Sequence, residues 1–161
     1  MTNERKIRIG ITQGDTNGIG YEVILKTFSD PAMLELCTPV IYGSSKIMSY
    51  HRKAVGVQAF QTNNVKSVDY LKENLPNVVE VCSDEVKVEL GKADKQAGKA
   101  AFLALEAAIT DLKKGKIDAI VTAPISKENI QSAEFNFPGH TEYHEASVGE
   151  GSKALMVLFS E

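Results

Sequence analysis

The stretch Gly14-Asp15-Thr16-Asn17-Gly18-Ile19-Gly20 lies between an apolar run and an amphipathic one. Glycines at such a place let a backbone turn sharply after a strand and approach a ligand closely. The N–H groups that open the following helix are available to an anion. Two standard phosphate motifs are absent. A P-loop needs Gly-x-x-x-x-Gly-Lys-Ser/Thr, and no Lys-Ser/Thr pair follows Gly18 or Gly20. A dinucleotide fingerprint needs Gly-x-Gly-x-x-Gly, and Val23 stands where its third glycine belongs. Two readings stay open on the residues alone: a ligand-facing turn presenting Gly14, Asp15, Gly18 and Gly20, or a tight strand-to-helix connection with no ligand.

A second candidate is Phe-Pro-Gly-His-Thr-Glu-Tyr-His-Glu at 137–145. Pro138-Gly139 makes a turn, which places His140 and Thr141 at a helix start, where side chains and backbone donors converge on substrate or anion. Thr141 as a simple N-cap is the alternative. His140 and His144 are four apart, so two imidazoles share a helical face. The order His-Thr-Glu-Tyr-His displaces the glutamate of a zinc-protease motif by one and offers no obvious third ligand, so the spacing predicts a solvent-facing His144. His51, beside Arg52 and Lys53, is expected on the surface. Lys127, in Thr-Ala-Pro-Ile-Ser-Lys after an apolar strand, could meet a phosphate or carboxylate, because strand C-terminal ends line ligand crevices in open α/β sheets. A solvated lysine in a first helical turn is the alternative.

Those residues need a scaffold, and the remaining chain supplies its outline. The 161 residues are 43% hydrophobic and 24% charged, enough for one core. A net charge of -3 without a Lys/Arg block argues against nucleic acid and anionic membranes as partners. The longest apolar runs, such as Ala154–Phe159, are too short to span a bilayer, and polar residues 1–6 precede no leader-like stretch. Cys37 and Cys82 lack Cys-x-x-Cys spacing and read as reduced thiols of a cytoplasmic protein.

Strands are expected at Lys6–Thr12, Thr38–Gly43, Asn77–Ser83 and Ile117–Pro124, the last uninterrupted enough to predict burial on both faces. Helices are expected at Gly18–Phe28, after Ser44 or Ser45 as far as Gly56, from about Lys95 to Lys114, over a short piece at 126–133, and after Pro138-Gly139. Residues 84–95 read as a charged surface connection. Alternating strands and helices predict an α/β fold with a mostly parallel sheet. The chain closes on a strand-like Ala154–Phe159 with only Ser160 and Glu161 beyond it, which predicts the front part of a larger protein; a C-terminal edge strand is the alternative.

Taken together, Ile-Thr-Gln-Gly-Asp-Thr-Asn-Gly-Ile-Gly at 11–20, Ile-Asp-Ala-Ile-Val-Thr-Ala-Pro-Ile-Ser-Lys at 117–127, the 137–145 block and Lys-Ala-Leu-Met-Val-Leu-Phe at 153–159 resemble the 4-hydroxythreonine-4-phosphate dehydrogenases of vitamin B6 (pyridoxal phosphate) biosynthesis, in order and spacing. The glycine turn is also similar to that of isocitrate and isopropylmalate dehydrogenases. The resemblance covers about the first half of a family member. It implies an α/β/α sandwich, isocitrate dehydrogenase-like and incomplete, in which residues 1–161 form a single incomplete unit of a two-subdomain, homodimeric enzyme.

The implied activity is NAD-dependent, metal-assisted oxidation of 4-phosphooxy-threonine, with loss of carbon dioxide to give 3-amino-2-oxopropyl phosphate. By resemblance, His140 and Thr141 contact substrate. The three histidines for the divalent metal (Zn, Mg or Co), most cofactor contacts and the cationic phosphate clamp fall after Glu161, so this chain alone is expected to hold no metal site and to be inactive. His144 matches no family ligand. The family turn commonly carries proline at 13 and proline-alanine at 16–17, where this chain has Gln13, Thr16 and Asn17. That departure is expected to loosen the turn and admits a related enzyme with another phosphorylated hydroxy acid as substrate. A non-catalytic small-molecule-binding α/β domain is the remaining alternative. Exposed apolar edges and self-association are expected of such a chain.

Overall fold

The computed structural model describes residues 5–82, 86–132, 134–149, 151 and 153–160. In chain order the elements are β1 (Arg8–Thr12), α1 (Gly20–Phe28), α2 (Ala32–Leu36), β2 (Thr38–Gly43), α3 (Ser45–Ala54), β3 (Asn63–Val65), a 3-10 turn (Val68–Tyr70), β4 (Asn77–Glu80), α4 (Lys95–Lys113), β5 (Ala119–Thr122), α5 (Lys127–Ile130) and α6 (His140–Val148). Local chemistry sets several boundaries. The Ser44 hydroxyl accepts from the Ile47 amide to start α3, and the Asp94 carboxylate accepts from the Gln96 amide to start α4. Gly115, at φ +66, takes the left-handed turn that ends α4.

The strands form one all-parallel sheet in the order β3-β4-β2-β1-β5. Apolar side chains fill both faces. Ile11, Ile41 and Val78 pack with Ile24, Leu25, Ile47 and Met48 from α1 and α3. Val40, Tyr42 and Val79 pack with Ala104 and Ala108 of α4 on the other face. Helices therefore sandwich the sheet, as an α/β/α class requires. A third cluster lies beyond the sheet, where Phe102 and Leu105 of α4 meet Ile130, Phe135 and Tyr143.

This order creates a switch point. From β1 the chain runs through α1 and α2 to β2 on one side; from β4 it returns through α4 to β5 on the other. The crevice between the C-terminal ends of β1 and β5 is where open parallel sheets bind ligands. The glycine turn follows β1, and Ala123–Lys127 follows β5.

Four expectations need correction. β5 is an edge strand among the described residues, paired to β1, and its side chains alternate between exposed and half-buried, with Val121 55% exposed. An apolar run marks a strand but does not say which neighbours cover it. Residues 154–159 form no strand; Leu155 to Phe159 are 70–90% exposed, with no partner among the described residues to complete a ladder. The strand expected at Asn77–Ser83 is observed at Asn77–Glu80; Ser83 lies outside the described residues, as does Asp84 at the start of the expected connection. His51, expected on the surface, is 2% exposed. The polar edge strand β3 and the short α2 carry no clear periodicity and were not expected from the sequence. Neither Cys37 nor Cys82 is in a disulfide, in line with the reading as thiols.

Candidate functional site

The turn after β1 is a buried polar junction. Gln13, Asp15, Thr16 and Asn17 are all buried. The Gln13 amide donates to the Tyr42 carbonyl (3.1 Å), and its side-chain amide donates to the Ala100 carbonyl of α4 (3.0 Å). The Tyr21 hydroxyl donates to Gln13 Oε1 and accepts from the Ser44 amide (2.8 Å). A proline at 13 could supply none of Gln13's donors. Burial raises the Tyr21 phenol well above its ordinary range, so it stays protonated as the hub of this network.

Asp15 ties the two switch-point loops together. Its amide donates to the Pro124 carbonyl (3.0 Å), and its carboxylate accepts from the Asn17 amide (2.8 Å) and from Asn129 Nδ2 of α5 (3.1 Å). Asn17 fastens the connection at 89–92. Its side chain accepts from the Glu89 amide (2.8 Å) and donates to the Lys92 carbonyl (3.1 Å), while its own carbonyl accepts from Gly91 (2.9 Å). From beneath, His51 Nε2 lies 2.8 Å from the Thr16 carbonyl. A carbonyl only accepts, so this nitrogen carries the proton. Burial lowers the His51 pKa from its ordinary value and keeps the ring neutral.

The glycines divide by role. A Cβ on Gly20 would collide with the Gln13 carbonyl, and one on Gly14, at φ +70, with the Pro124 carbonyl. Gly18 is half-buried and has more room, with the Asp15 carbonyl 3.3 Å from such an atom. Gly14 and Gly20 therefore let the turn seat against Ala123 and Pro124 after β5. Lys127, in the first turn of α5, is exposed. The backbone of α5 passes so close to α4 that any side chain at Gly98 would strike the Asn129 carbonyl.

His140 opens α6 and Thr141 follows it, exposed. Tyr143 anchors the helix among Phe102, Phe135 and Phe137, with ring centres 5.1–6.0 Å away. His140 Nε2 is enclosed and has no hydrogen-bond partner among the described residues. An enclosed polar nitrogen without a partner is costly and marks capacity for a ligand. Burial, and secondarily His144, lowers the His140 pKa, so the ring is neutral near pH 7. His144 is half-buried rather than solvent-facing, its ring against Tyr143, and burial lowers its pKa too.

The fold thus assembles Gly14, Asp15 and Gly20 with the loop after β5. His140 and Thr141 stand apart from them. No hydrogen bond among the described residues joins the groups; α4 carries both, through Gly98 to α5 and through Phe102 to Tyr143. Sequence reasoning missed Gln13, Asn17, His51 and Asn129 as positioning groups. Gln13 and Asn17 were noticed only as departures from a proline-rich pattern.

Among the described residues, neither the turn amides nor the α6 histidines form a ready cradle for the implied cofactors. The Asp15, Asn17 and Gly18 amides all donate to protein acceptors, so the turn does not offer them to a pyrophosphate. The His140 and His144 ring centres are 6.3 Å apart, whereas two imidazoles on one tetrahedral zinc stand at about 5 Å. No group of three or more His, Cys, Asp or Glu poised for a metal exists among the described residues.

A parallel α/β sandwich with loops converging on its switch point is an architecture shared with solved dehydrogenases. A 4-hydroxythreonine-4-phosphate dehydrogenase from Burkholderia phymatum superposes with a TM-score of 0.79 at 27% identity, covering 91% of this chain and 44% of that one. The Klebsiella pneumoniae enzyme of the same name also gives 0.79, at 26% identity, covering 90% and 45%. The family model described as pyridoxal phosphate biosynthetic protein PdxA matches residues 35–161, and the chain belongs to that family. A 4-hydroxythreonine-4-phosphate dehydrogenase from Bacteroides thetaiotaomicron is 62% identical over 155 residues, 96% of this chain and 42% of that protein. A Clostridium botulinum relative, provisionally named a D-threonate 4-phosphate dehydrogenase, is 32% identical over 145 residues, 88% of this chain and 43% of that protein. The chain therefore spans less than half the length of these relatives.

Proposed function

We propose that this chain is the front part of an NAD-dependent, metal-assisted dehydrogenase of 4-phosphooxy-threonine, a homodimer in the cytoplasm. The observation that carries the reading is the 62% identity to the Bacteroides relative across nearly the whole chain. In the proposed reaction the substrate's secondary alcohol becomes a ketone, its hydride passes to NAD and its hydroxyl proton is released. The β-keto acid then loses carbon dioxide to leave 3-amino-2-oxopropyl phosphate. A divalent cation, held by residues outside this chain, would polarise the reacting oxygen.

The residues assigned here do narrower work. His140 Nε2, neutral and unpartnered, takes a hydrogen bond from substrate or gives one, according to its tautomer. Thr141, the exposed next residue of α6, is the second proposed substrate contact. Gly14, Asp15 and Gly20 keep the β1–α1 turn seated against the loop after β5, Gly18 closes the turn by donating its amide to the Asp15 carbonyl, and Lys127 offers an exposed cation beside it. The lower identity to the D-threonate-named relative favours threonine over threonate as the organic acid.

The test is NADH formation by a protein of the relatives' full length carrying this sequence, given NAD, a divalent metal and either 4-phosphooxy-threonine or D-threonate 4-phosphate. Turnover of the first substrate with none by the 161-residue chain is the expected result. Preference for the second substrate transfers the assignment to it, and silence with both in a folded, metal-loaded protein overturns the reading.

A further inference from the structure

We infer that the cleft between α4 and α5 is a binding site for a phosphate group, separate from the substrate clamp expected beyond this chain. The cleft has a volume of about 310 Å³, within the range that small ligands occupy. Lys95 and Lys99 form one wall, Gln131 and Ser132 the other, over a floor that includes Phe102 and Asn129.

Charge distinguishes this cleft from the other large one on α4. The broader cleft, about 550 Å³, is lined by Lys66, Lys114 and Lys116, but also by Glu80, Glu106 and Asp111. Its cations are balanced in place, and Lys116 is paired with Asp69. The α4–α5 cleft holds two lysines against one acid, Glu134. No hydrogen bond or ion pair engages Lys95 or Lys99 among the described residues, whereas Lys26 and Lys92 each have a carboxylate partner.

Geometry makes the pair fit for an anion. Lys95 and Lys99 are four apart on a regular helix, so they rise from neighbouring positions about 6 Å apart on one face. Two ammonium groups on flexible stems can close on a dianion from one side. On the opposite wall, Ser132 Oγ accepts from the Phe135 amide, which leaves its hydroxyl proton to donate. Gln131 Nε2 gives one hydrogen to the Phe137 carbonyl and retains a second. The floor is stiff: Asn129 is held by Asp15 of the glycine turn, and α4 and α5 meet backbone to backbone at Gly98. An occupied cleft would therefore sit directly against the switch-point loops. Phosphate monoesters and free inorganic phosphate share the chemistry it recognises. Assigning a phosphorylated hydroxy acid as the source rests on the dehydrogenase reading; the capacity to hold phosphate does not.

The experiment is a 15N TROSY NMR titration, with sodium phosphate at pH 7.5 and ionic strength held constant with sodium chloride, of a protein of the relatives' full length carrying this sequence. The expected result is a single saturating curve for the Lys95, Lys99, Gln131 and Ser132 amides. Lys95→Gln with Lys99→Gln weakens it at least tenfold, and Lys66→Gln with Lys114→Gln leaves it unchanged. All four lysines are exposed or line open clefts, and circular dichroism confirms that the variants fold. Linear shifts, shifts spread equally over both clefts, or a curve indifferent to Lys95 and Lys99 overturn the site. A parallel titration with 4-phosphooxy-threonine separates the sources: tighter binding than inorganic phosphate assigns the ester, and equal binding assigns free phosphate. Neither arm needs turnover, so an inactive full-length protein leaves the result standing.

Discussion

At the glycine turn, Gln13, Asp15 and Asn17 are buried and their side chains are spent on other parts of the protein. At the mouth of α6, Thr141 is exposed and His140 Nε2 is enclosed without a partner among the described residues. Both regions place polar residues at a helix start, but they use them in opposite ways. In the turn, hydrogen bonds join β1, α3, α4, α5 and the 89–92 connection into one junction, with Thr16 Oγ1 the exception that finds no partner. In α6 an aromatic anchor does the holding, and the polar atoms are left over. The difference contrasts two ways of holding a helix start: a largely satisfied network resists change, whereas the His140 imidazole is left without a partner among the described residues and is the group proposed to meet substrate.

Substitution at glycine gives the sharpest contrast. Gly20→Ala drives a methyl into the Gln13 carbonyl and is expected to cost about 3 kcal/mol or more in denaturant unfolding. Gly139→Ala, where a Cβ would find only Glu142 Oε2 at 3.5 Å, is expected to cost no more than about 1 kcal/mol, the preference for glycine over alanine at an N-cap. Equal losses would erase the distinction between the regions.

A polar pair carries the comparison further. Gln13→Ala removes a second donor from the Ala100 carbonyl, which keeps its helical bond, and one of two acceptors of the Tyr21 hydroxyl, an expected loss of roughly 1–2 kcal/mol. His140→Ala is expected to leave stability nearly unchanged while lowering kcat/KM of the full-length protein about tenfold to a hundredfold, as for one lost hydrogen bond to a charged group. A destabilised His140→Ala protein would make His140 a structural residue.

Asn17→Ala is expected to cost about 1–2 kcal/mol and to speed hydrogen exchange at the Glu89 amide, whose acceptor it removes. Unchanged exchange at Glu89 would mean that something other than Asn17 fastens the 89–92 connection.

The pH response is the gentlest probe. Burial lowers the pKa of His51, His140 and His144, so each binds a proton less readily in the native chain than in the unfolded one. Their contribution to stability is complete above the ordinary histidine value, about 6.5, and is lost as the pH falls below it. Unfolding free energies at pH 7.5 and pH 5 check this. His51→Gln, which keeps a donor toward Thr16 but does not titrate, should flatten the fall. Greater stability at pH 5 would reverse the sign.

Much of the molecule was readable in advance because its cues are local. The Thr38–Gly43 strand, the helix capped by Ser44 and the long helix ending before Gly115 occur where period, cap and glycine place them. His140 was correctly set at a helix start by Pro138-Gly139. His51 was misread for a matching reason: basic neighbours suggest a surface, but helical rotation turned His51 inward, against Tyr21, while Arg52 stayed half-buried and Lys53 exposed. Gln13 and Asn17, read as losses of proline stiffness, turned out to make bonds that proline and alanine cannot make.

By itself, then, the sequence determined the α/β class, the position of the turn, the helix that His140 opens and, through its motifs, the family. These depend on residues close together in the chain. Only the tertiary structure decided that β5 lies at an edge, that Asp15 meets Asn129 across 114 positions, and that Lys95 and Lys99 face Gln131 and Ser132 over one cleft. Such pairings form when α4 crosses the sheet and brings distant segments together, and no local pattern encodes which partners they will find.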